Sequence, residues 1–355
     1  MGWYRLKLNG LKSSKIRVLM LNYRRYKELL IEDTEVLKEK FNFDDEDIKI
    51  IQRSIECQKY IDFLEYLERN RIGIIDMNDY RYPELLKNIS KPPIFIFFKG
   101  DINLLEKERM ISIVGTRRAT KYGEGCVSQI LKDLVEADVV VVSGLALGID
   151  TIAHQETLEL KGKTIAVLGC GIDIIYPKGN IGLRRNIEKY GLVISEFPLG
   201  TKPSPQNFPI RNRIISGLSK GVLLIESALK GGSLITAGLA LEEGRDVFAV
   251  PGDISAPFSK GCNSLIRDSL AKLIISGEDI LKEYLWLKKT ELGENLNKLI
   301  GKKLKIYNIL KTKMHLEEIK ELSGIETGEL LGYLMEMEME RYVQSLPAGY
   351  YRRRV

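Results

Sequence analysis

Three short segments carry residues whose types and spacing suit an anion. They are Val114-Gly115-Thr116-Arg117-Arg118-Ala119-Thr120, Phe208-Pro209-Ile210-Arg211-Asn212-Arg213 and Lys230-Gly231-Gly232-Ser233-Leu234-Ile235-Thr236. Glycines let backbone N–H groups approach a phosphate, and a helix opening after such a turn aims its positive end there. Arginines at a helix start oppose the helix dipole, so Arg117, Arg118, Arg211 and Arg213 call for an anion. The candidate anion-binding set is Gly115, Thr116, Arg117, Arg118, Ser143, Gly144, Lys202, Asn207, Arg211, Asn212, Arg213, Lys230, Gly231, Gly232, Ser233 and Thr236. One such loop alone reads as a tight strand-to-helix turn; arginines recurring beside several of them shift the reading to a ligand.

These loops need a scaffold that gathers them. Apolar, β-branched runs stand at Met110–Val114, Val139–Val142, Thr164–Leu168, Leu192–Ile194, Val222–Ile225 and Val247–Val250, separated by helical stretches such as Thr120–Glu136, Asn180–Tyr190 and Ser233–Glu243. Fully apolar strands alternating with helices predict a Rossmann-like α/β domain, a parallel sheet with helices on both faces. Ligands of such sheets bind beyond the carboxyl ends of the strands, where all three segments fall.

Other chemistries fit poorly. Gly162-Lys163-Thr164 imitates a mononucleotide loop, but position 157 is Thr and the tripeptide precedes its strand. Gly169-Cys170-Gly171 lacks the third glycine of a dinucleotide fingerprint, Ile174 standing in its place. The scattered Cys57, Cys126, Cys170 and Cys262, with His154 and His315, give no metal spacing and favour a reducing cytoplasm. No catalytic residue, metal or cofactor is read from the spacing; His154 reads as a helix residue with a fixed hydrogen bond. Net charge is +6, enough to permit an anionic partner without locating it. Residues 1–27 hold eight Lys or Arg and no acid, a basic helical face rather than a targeting peptide. No run approaches the ~20 apolar residues of a membrane span. An extended polyanion touching several loops is the best physical fit, and nucleic-acid backbone is the commonest such ligand.

Four regions are expected: a helical domain over 1–80, the Rossmann-like domain over 81–285, a linker over 286–299 and a small unit over 300–355. In the last, helices around Leu304–Leu310, Leu316–Leu322 and Thr327–Met337 precede a hairpin turning at Pro347-Ala348-Gly349, the pattern of a winged helix. Glu329, Glu336, Glu338 and Glu340 make its third helix poor company for phosphates, so protein contact or a structural role is at least as good a reading as duplex binding.

The same segments resemble the DprA/Smf family of DNA-processing proteins. The resemblance runs through Ile113–Thr120 with Tyr122-Gly123, Ser143–Asp150 with Ala153-His154, and Ile165–Gly171 with Tyr176-Pro177 and Asn180. It continues through Ser195-Glu196, Phe208–Arg213, Gly232–Ala237 and Ala249–Gly252. It implies a non-enzymatic mediator that binds and protects incoming single-stranded DNA and helps load the RecA recombinase in natural transformation. It also implies a homodimer, and an N-terminal domain of SAM or helix-hairpin-helix type. DNA-binding positions carried over are Gly115, Arg117, Asn207–Arg213 and Gly231–Thr236; Leu265, Ile266 and Leu273 would lie at the dimer face or in the core. Departures are Lys230-Gly231-Gly232-Ser233, where the family has Ser-Gly-Ser, and Asp268-Ser269-Leu270-Ala271, which lacks the usual Gly-Ala. The rival readings are an N-glycosidic hydrolase of nucleoside monophosphates and a nucleotide-sensing module. Against the first, Gly238 and Leu239 follow Thr236 where that chemistry needs a glutamate.

Overall fold

Strand-forming runs and helices alternate as their apolar periods require, and in the computed structural model they build a nine-stranded sheet. The structure describes residues 2–55, 57–288, 299–340 and 342–353, in two compact units, Met1–Trp286 and Leu287–Val355. The strands are β1 (Gly73–Asp76), β2 (Phe95–Gly100), β3 (Met110–Val114), β4 (Val140–Ser143), β5 (Thr164–Val167), β6 (Leu192–Ser195), β7 (Gly221–Leu224), β8 (Asp246–Ala249) and β9 (Lys272–Leu273). Their order is β1-β2-β6-β5-β4-β3-β7-β8-β9. The seven strands from β6 to β9 run parallel, and β2 and then β1 add antiparallel at one edge. Every residue of β3 to β7 is buried, as a sheet covered on both faces demands.

Beyond the six runs, Ile94–Phe98 closed by Gly100 reads as a buried strand and is β2, but two strands were not legible. β1 lies inside the stretch read as helical; four residues are too few to show a period, and Gly73 is there because the Phe98 ring of β2 fills the space a Cβ would occupy. β9 has only two residues, both exposed.

The first seventy residues form short helices that share one apolar cluster with the sheet. Tyr4 stacks on Phe63 at 4.6 Å between centroids and meets Phe95 and Phe97 of β2 edge-on at 5.0 and 5.5 Å. A boundary near residue 80 therefore marks no gap between two cores, and β1 before it already belongs to the sheet.

The second unit holds helices Gly301–Ile309, Leu316–Ser323 and Thr327–Met339 with a sheet of order β10 (Met314–His315), β12 (Tyr350–Arg353), β11 (Val343–Leu346). Its own core includes Ile306, Leu330, Leu334, Met337 and Val343. The hairpin pairs Leu346 with Tyr350 around Pro347-Ala348-Gly349, where Ala348 and Gly349 both take positive φ. Of the expected linker, 289–298 lie outside the described residues.

Phe97 is 0% exposed and shared by the N-terminal helices and the sheet. Phe97→Ala should cost about 3–5 kcal/mol. Trp3 and Trp286 fluorescence, followed separately in urea with the other tryptophan replaced by Phe, should report the same loss. A shift seen by Trp3 alone would contradict a shared core.

Candidate nucleic-acid interface

β3 and β7 are neighbours in the sheet, and the connections from their carboxyl ends leave to opposite sides, which opens a crevice. A cavity of about 530 Å³ lies there. The loop after β3 supplies Gly115, Thr116 and Arg117, and the loop after β4 supplies Ala146 and Asp150. Pro203–Pro205 and the start of helix Asn207–Leu218 supply another wall through Phe208, Pro209, Arg211 and Asn212; the start of helix Gly232–Glu242 closes the cavity with Gly231, Gly232, Ser233, Ile235 and Thr236.

Each wall has its own fixings. Thr120 caps helix Lys121–Glu136 and also donates to the buried Glu226 carboxylate from both its N–H (2.9 Å) and Oγ1 (2.6 Å). With the Thr116 N–H on the Glu226 carbonyl (2.8 Å), this pins the loop that carries Arg117. Arg117 is exposed, its guanidinium 5.3 Å from the Phe208 ring centre; Phe208 in turn lies 5.7 Å from Tyr176, their rings inclined by 31°. On the opposite wall Ser233 donates to Ser227 at 2.8 Å, fixing the first turn of a helix whose leading N–H groups have no intrahelical acceptor.

Arg211 lines the cavity, but its guanidinium is spent on the protein itself. It is 4% exposed, and Nη1 donates to the carbonyls of Gly144 (2.7 Å) and Val167, tying the ends of β4 and β5 to helix Asn207–Leu218. Gly144 is glycine because a Cβ there would stand 2.4 Å from Arg211 Nη2. Burial pulls the Arg211 guanidinium down to about 10, against the pull of buried Asp150. The Asp150 carboxyl is pushed up by the same burial, which Arg211 and the N–H groups of Ala146 and Gly144 counter.

This corrects several expectations. Arg211 and Arg213 do have structural partners: Arg213 pairs with Glu196, outside the cavity lining. The loop after β4 cradles its own carboxylate, since the N–H groups of Gly144 (3.1 Å) and Ala146 (3.4 Å) bind Asp150. Ser143 and Gly144 are buried, and the Ser143 hydroxyl is used on the Ile113 carbonyl (2.6 Å), so neither has a donor to offer a phosphate. Gly115, Thr116, Arg117, Arg211, Asn212, Gly231, Gly232, Ser233 and Thr236 come together around one space; Arg118, Lys202, Asn207 and Lys230 stand outside its lining. Arg118, Lys202 and Lys230 are exposed. Tyr176 was missed as a site residue, and nothing in its type singled out Phe208; an aromatic directly before a proline, in Tyr176-Pro177 and Phe208-Pro209, was the available signal. Among the described residues no group of His, Cys, Asp and Glu could hold a metal, and no helix is long and apolar enough to cross a membrane.

His154 is 0% exposed. Thr164 Oγ1 donates to the Val141 carbonyl (2.7 Å) and so accepts from His154 Nδ1–H (2.7 Å), leaving buried Nε2 without a partner. Burial and then Arg211 push its pKa down to about 3, so the imidazole stays neutral.

The family described as DNA recombination-mediator protein A matches residues 73–285. The chain is 47% identical over 212 residues to the DNA processing protein DprA of Bacillus subtilis (strain 168), covering 60% of this chain and 71% of that one. It resembles the X-ray structure of DNA processing protein A from Streptococcus pneumoniae, with a TM-score of 0.68 and 36% identity over 80% of this chain and 98% of that one. It also resembles the Helicobacter pylori protein, whose structure describes a single-stranded DNA binding mode. There the TM-score is 0.56 and identity 29%, over 61% of this chain and 96% of that one.

Two predictions separate structural from binding roles. Arg211→Ala strands the buried Asp150 and should cost about 3–5 kcal/mol in urea denaturation, whereas Arg117→Ala at an exposed position should stay within about 0.5 kcal/mol; equal effects would refute the division. For His154, the folded pKa lies below the unfolded 6.5, so the unfolded chain binds the extra proton between about 6.5 and 3. Its stabilising contribution is whole above that window and falls as pH drops through it, by up to about 1.4 kcal/mol per pH unit. His154→Gln should flatten the stability profile there; an unchanged slope would contradict the neutral buried imidazole.

Proposed function

The chain belongs to the DNA recombination-mediator protein A family, and from that premise we propose that it binds single-stranded DNA in the cavity between the ends of β3 and β7. The observation that carries the reading is the meeting of three elements around one space. These are the exposed Arg117 guanidinium over Phe208, the Phe208–Tyr176 aromatic pair, and the glycine-led start of helix Gly232–Glu242. Phosphates suit the first and third, and unpaired bases stack on the second; only an unstacked polynucleotide uses all of them. The single-strand binding described for the Helicobacter pylori relative supports the same ligand.

The role is that of a mediator, not an enzyme. Among the described residues lining the cavity the sole carboxylate is Asp150, 6% exposed and spent on backbone N–H groups, which counts against an N-glycosidic hydrolase. A nucleotide-sensing module would need a closed pocket for a mononucleotide, whereas the lining of this cavity includes exposed Arg117 and Ile235. Protection of incoming strands, loading of the RecA recombinase during natural transformation and a cytoplasmic setting follow as the fuller reading. So do N-terminal helices of SAM or helix-hairpin-helix type, packed on the core of the sheet, and a winged helix over 300–355. A homodimer is part of it: Leu273 is 46% exposed on edge strand β9, while Leu265 and Ile266 are half-buried against the core. A sheet edge with exposed backbone and apolar side chains favours pairing with a second copy.

Binding of labelled oligodeoxythymidylate across a salt series tests the proposal. Affinity should fall with salt, with a log–log slope of about −0.7 per phosphate neutralised. Arg117→Ala should reduce that slope by about one phosphate, and Phe208→Ala should weaken binding by about 1–3 kcal/mol with the slope unchanged. Wild-type affinity in both variants would refute the site.

A further inference from the structure

The basic N-terminal segment has a place in this picture that the family-matched residues do not include. Of its cations, Lys15 reaches Asp47, Arg17 donates to the Pro92 carbonyl (2.6 Å), and Arg5 donates to the Ile55 carbonyl (2.8 Å). Arg24, Arg25 and Lys27 are different: they are exposed, and no carboxylate among the described residues pairs with them. Glu28, the adjacent acid, is turned instead onto the N–H groups of Arg24 (2.9 Å) and Arg25 (3.2 Å).

These three side chains, with Arg5, rim a cleft of about 620 Å³. Its acids are committed elsewhere, buried Asp76 accepting from the Asn78 N–H (3.0 Å) and Asp79 paired with Arg81 at 2.8 Å. The cleft includes the residues that directly follow β1. Because β1 is antiparallel to β2 and β2 antiparallel to β6, β1 points the same way as the parallel strands. The cleft therefore opens on the same carboxyl edge as the cavity between β3 and β7.

A smaller cleft of about 260 Å³ lies between them, over the ends of β2 and β6, lined in part by Lys7, Arg17, Phe197 and Arg213. Helix Asn207–Leu218 divides it from the cavity, with Phe208, Arg211 and Asn212 on one side and Ile210 and Arg213 on the other. Three depressions thus follow the strand order along one edge. From β3 to β1 is five inter-strand steps, about 24 Å at ~4.8 Å each.

We propose that a single strand seated in the cavity continues along this edge, and that Arg24, Arg25 and Lys27 hold its phosphates as a distal subsite. This rests on the cavity being a single-strand site. Clustered cations facing a cleft with no free acid suit a backbone polyanion, and the burial of Trp3, Tyr26 and Tyr60 beside them leaves no open ring for a base. Contact there is thus expected to be independent of sequence.

The test compares oligodeoxythymidylates of about four and about sixteen nucleotides, the two ends of the ~4–16 nucleotide range of site sizes for single-strand binders. It uses the full chain and an Arg24→Gln, Arg25→Gln, Lys27→Gln triple variant. The long strand should bind roughly tenfold more weakly to the triple variant, its salt slope reduced by about 2 for three phosphates. The short strand should bind as to wild type, which also reports an intact fold. Unchanged long-strand affinity and slope, or equal losses on both lengths, would overturn the subsite. Arg117→Ala, measured alongside, should weaken both lengths; wild-type binding by that variant would fell the cavity assignment instead, so the two failures are told apart.

Discussion

The guanidinium of Arg211 sits where the ends of β4 and β5 meet helix Asn207–Leu218, and the shape of the cavity depends on its staying there. It accepts a large desolvation cost in exchange for two strand-end carbonyls and the field of buried Asp150. Breaking such an arrangement leaves an uncompensated buried charge. The neighbouring glycine follows from it, because Gly144 has no room for a side chain beside the guanidinium. The Asp150 cradle follows too, since the loop that Arg211 anchors wraps its N–H groups around that carboxylate. Held in this way, the same helix presents Phe208 and Asn212 to the cavity and Arg213 to the cleft beyond.

Charge at this edge is therefore divided between two jobs. Arg211 and Arg213 neutralise or tether the interior, one on carbonyls and one on Glu196, and so shape the wall. Arg117 and the N-terminal cluster of Arg24, Arg25 and Lys27 remain exposed to solvent, where a phosphate backbone can reach them. A modest net charge of +6 hides this, because binding depends on which cations are left unpaired and on which edge.

The parallel sheet was legible because its strands are buried on both faces and so are dominated by β-branched apolar residues, as Ile111, Ile113 and Val114 and the run Val140–Val142 show. Helix starts were legible where a cap such as Thr120 marks them. β1 and β9 were not, being too short to carry a period. At the site, Arg117 and the Gly231–Thr236 turn could be read from strand-end position alone. The partners of Arg211 and Arg213 could not, because Val167 and Glu196 lie far along the chain and meet them only through the sheet order. Phe208 was included in the Asn207–Arg213 segment without a stacking role, since an aromatic reads alike whether it fills a core or offers a stacking face.

In the proposed division, Arg211 builds the cavity while Arg117 meets the ligand. A crystal structure of the chain with a short oligodeoxythymidylate tests this most directly. Arg211 Nη1 should keep its bonds to the Gly144 and Val167 carbonyls, with a phosphate on Arg117 and a base on Phe208. A strand whose phosphate is held by Arg211 swung out of the sheet edge would contradict it.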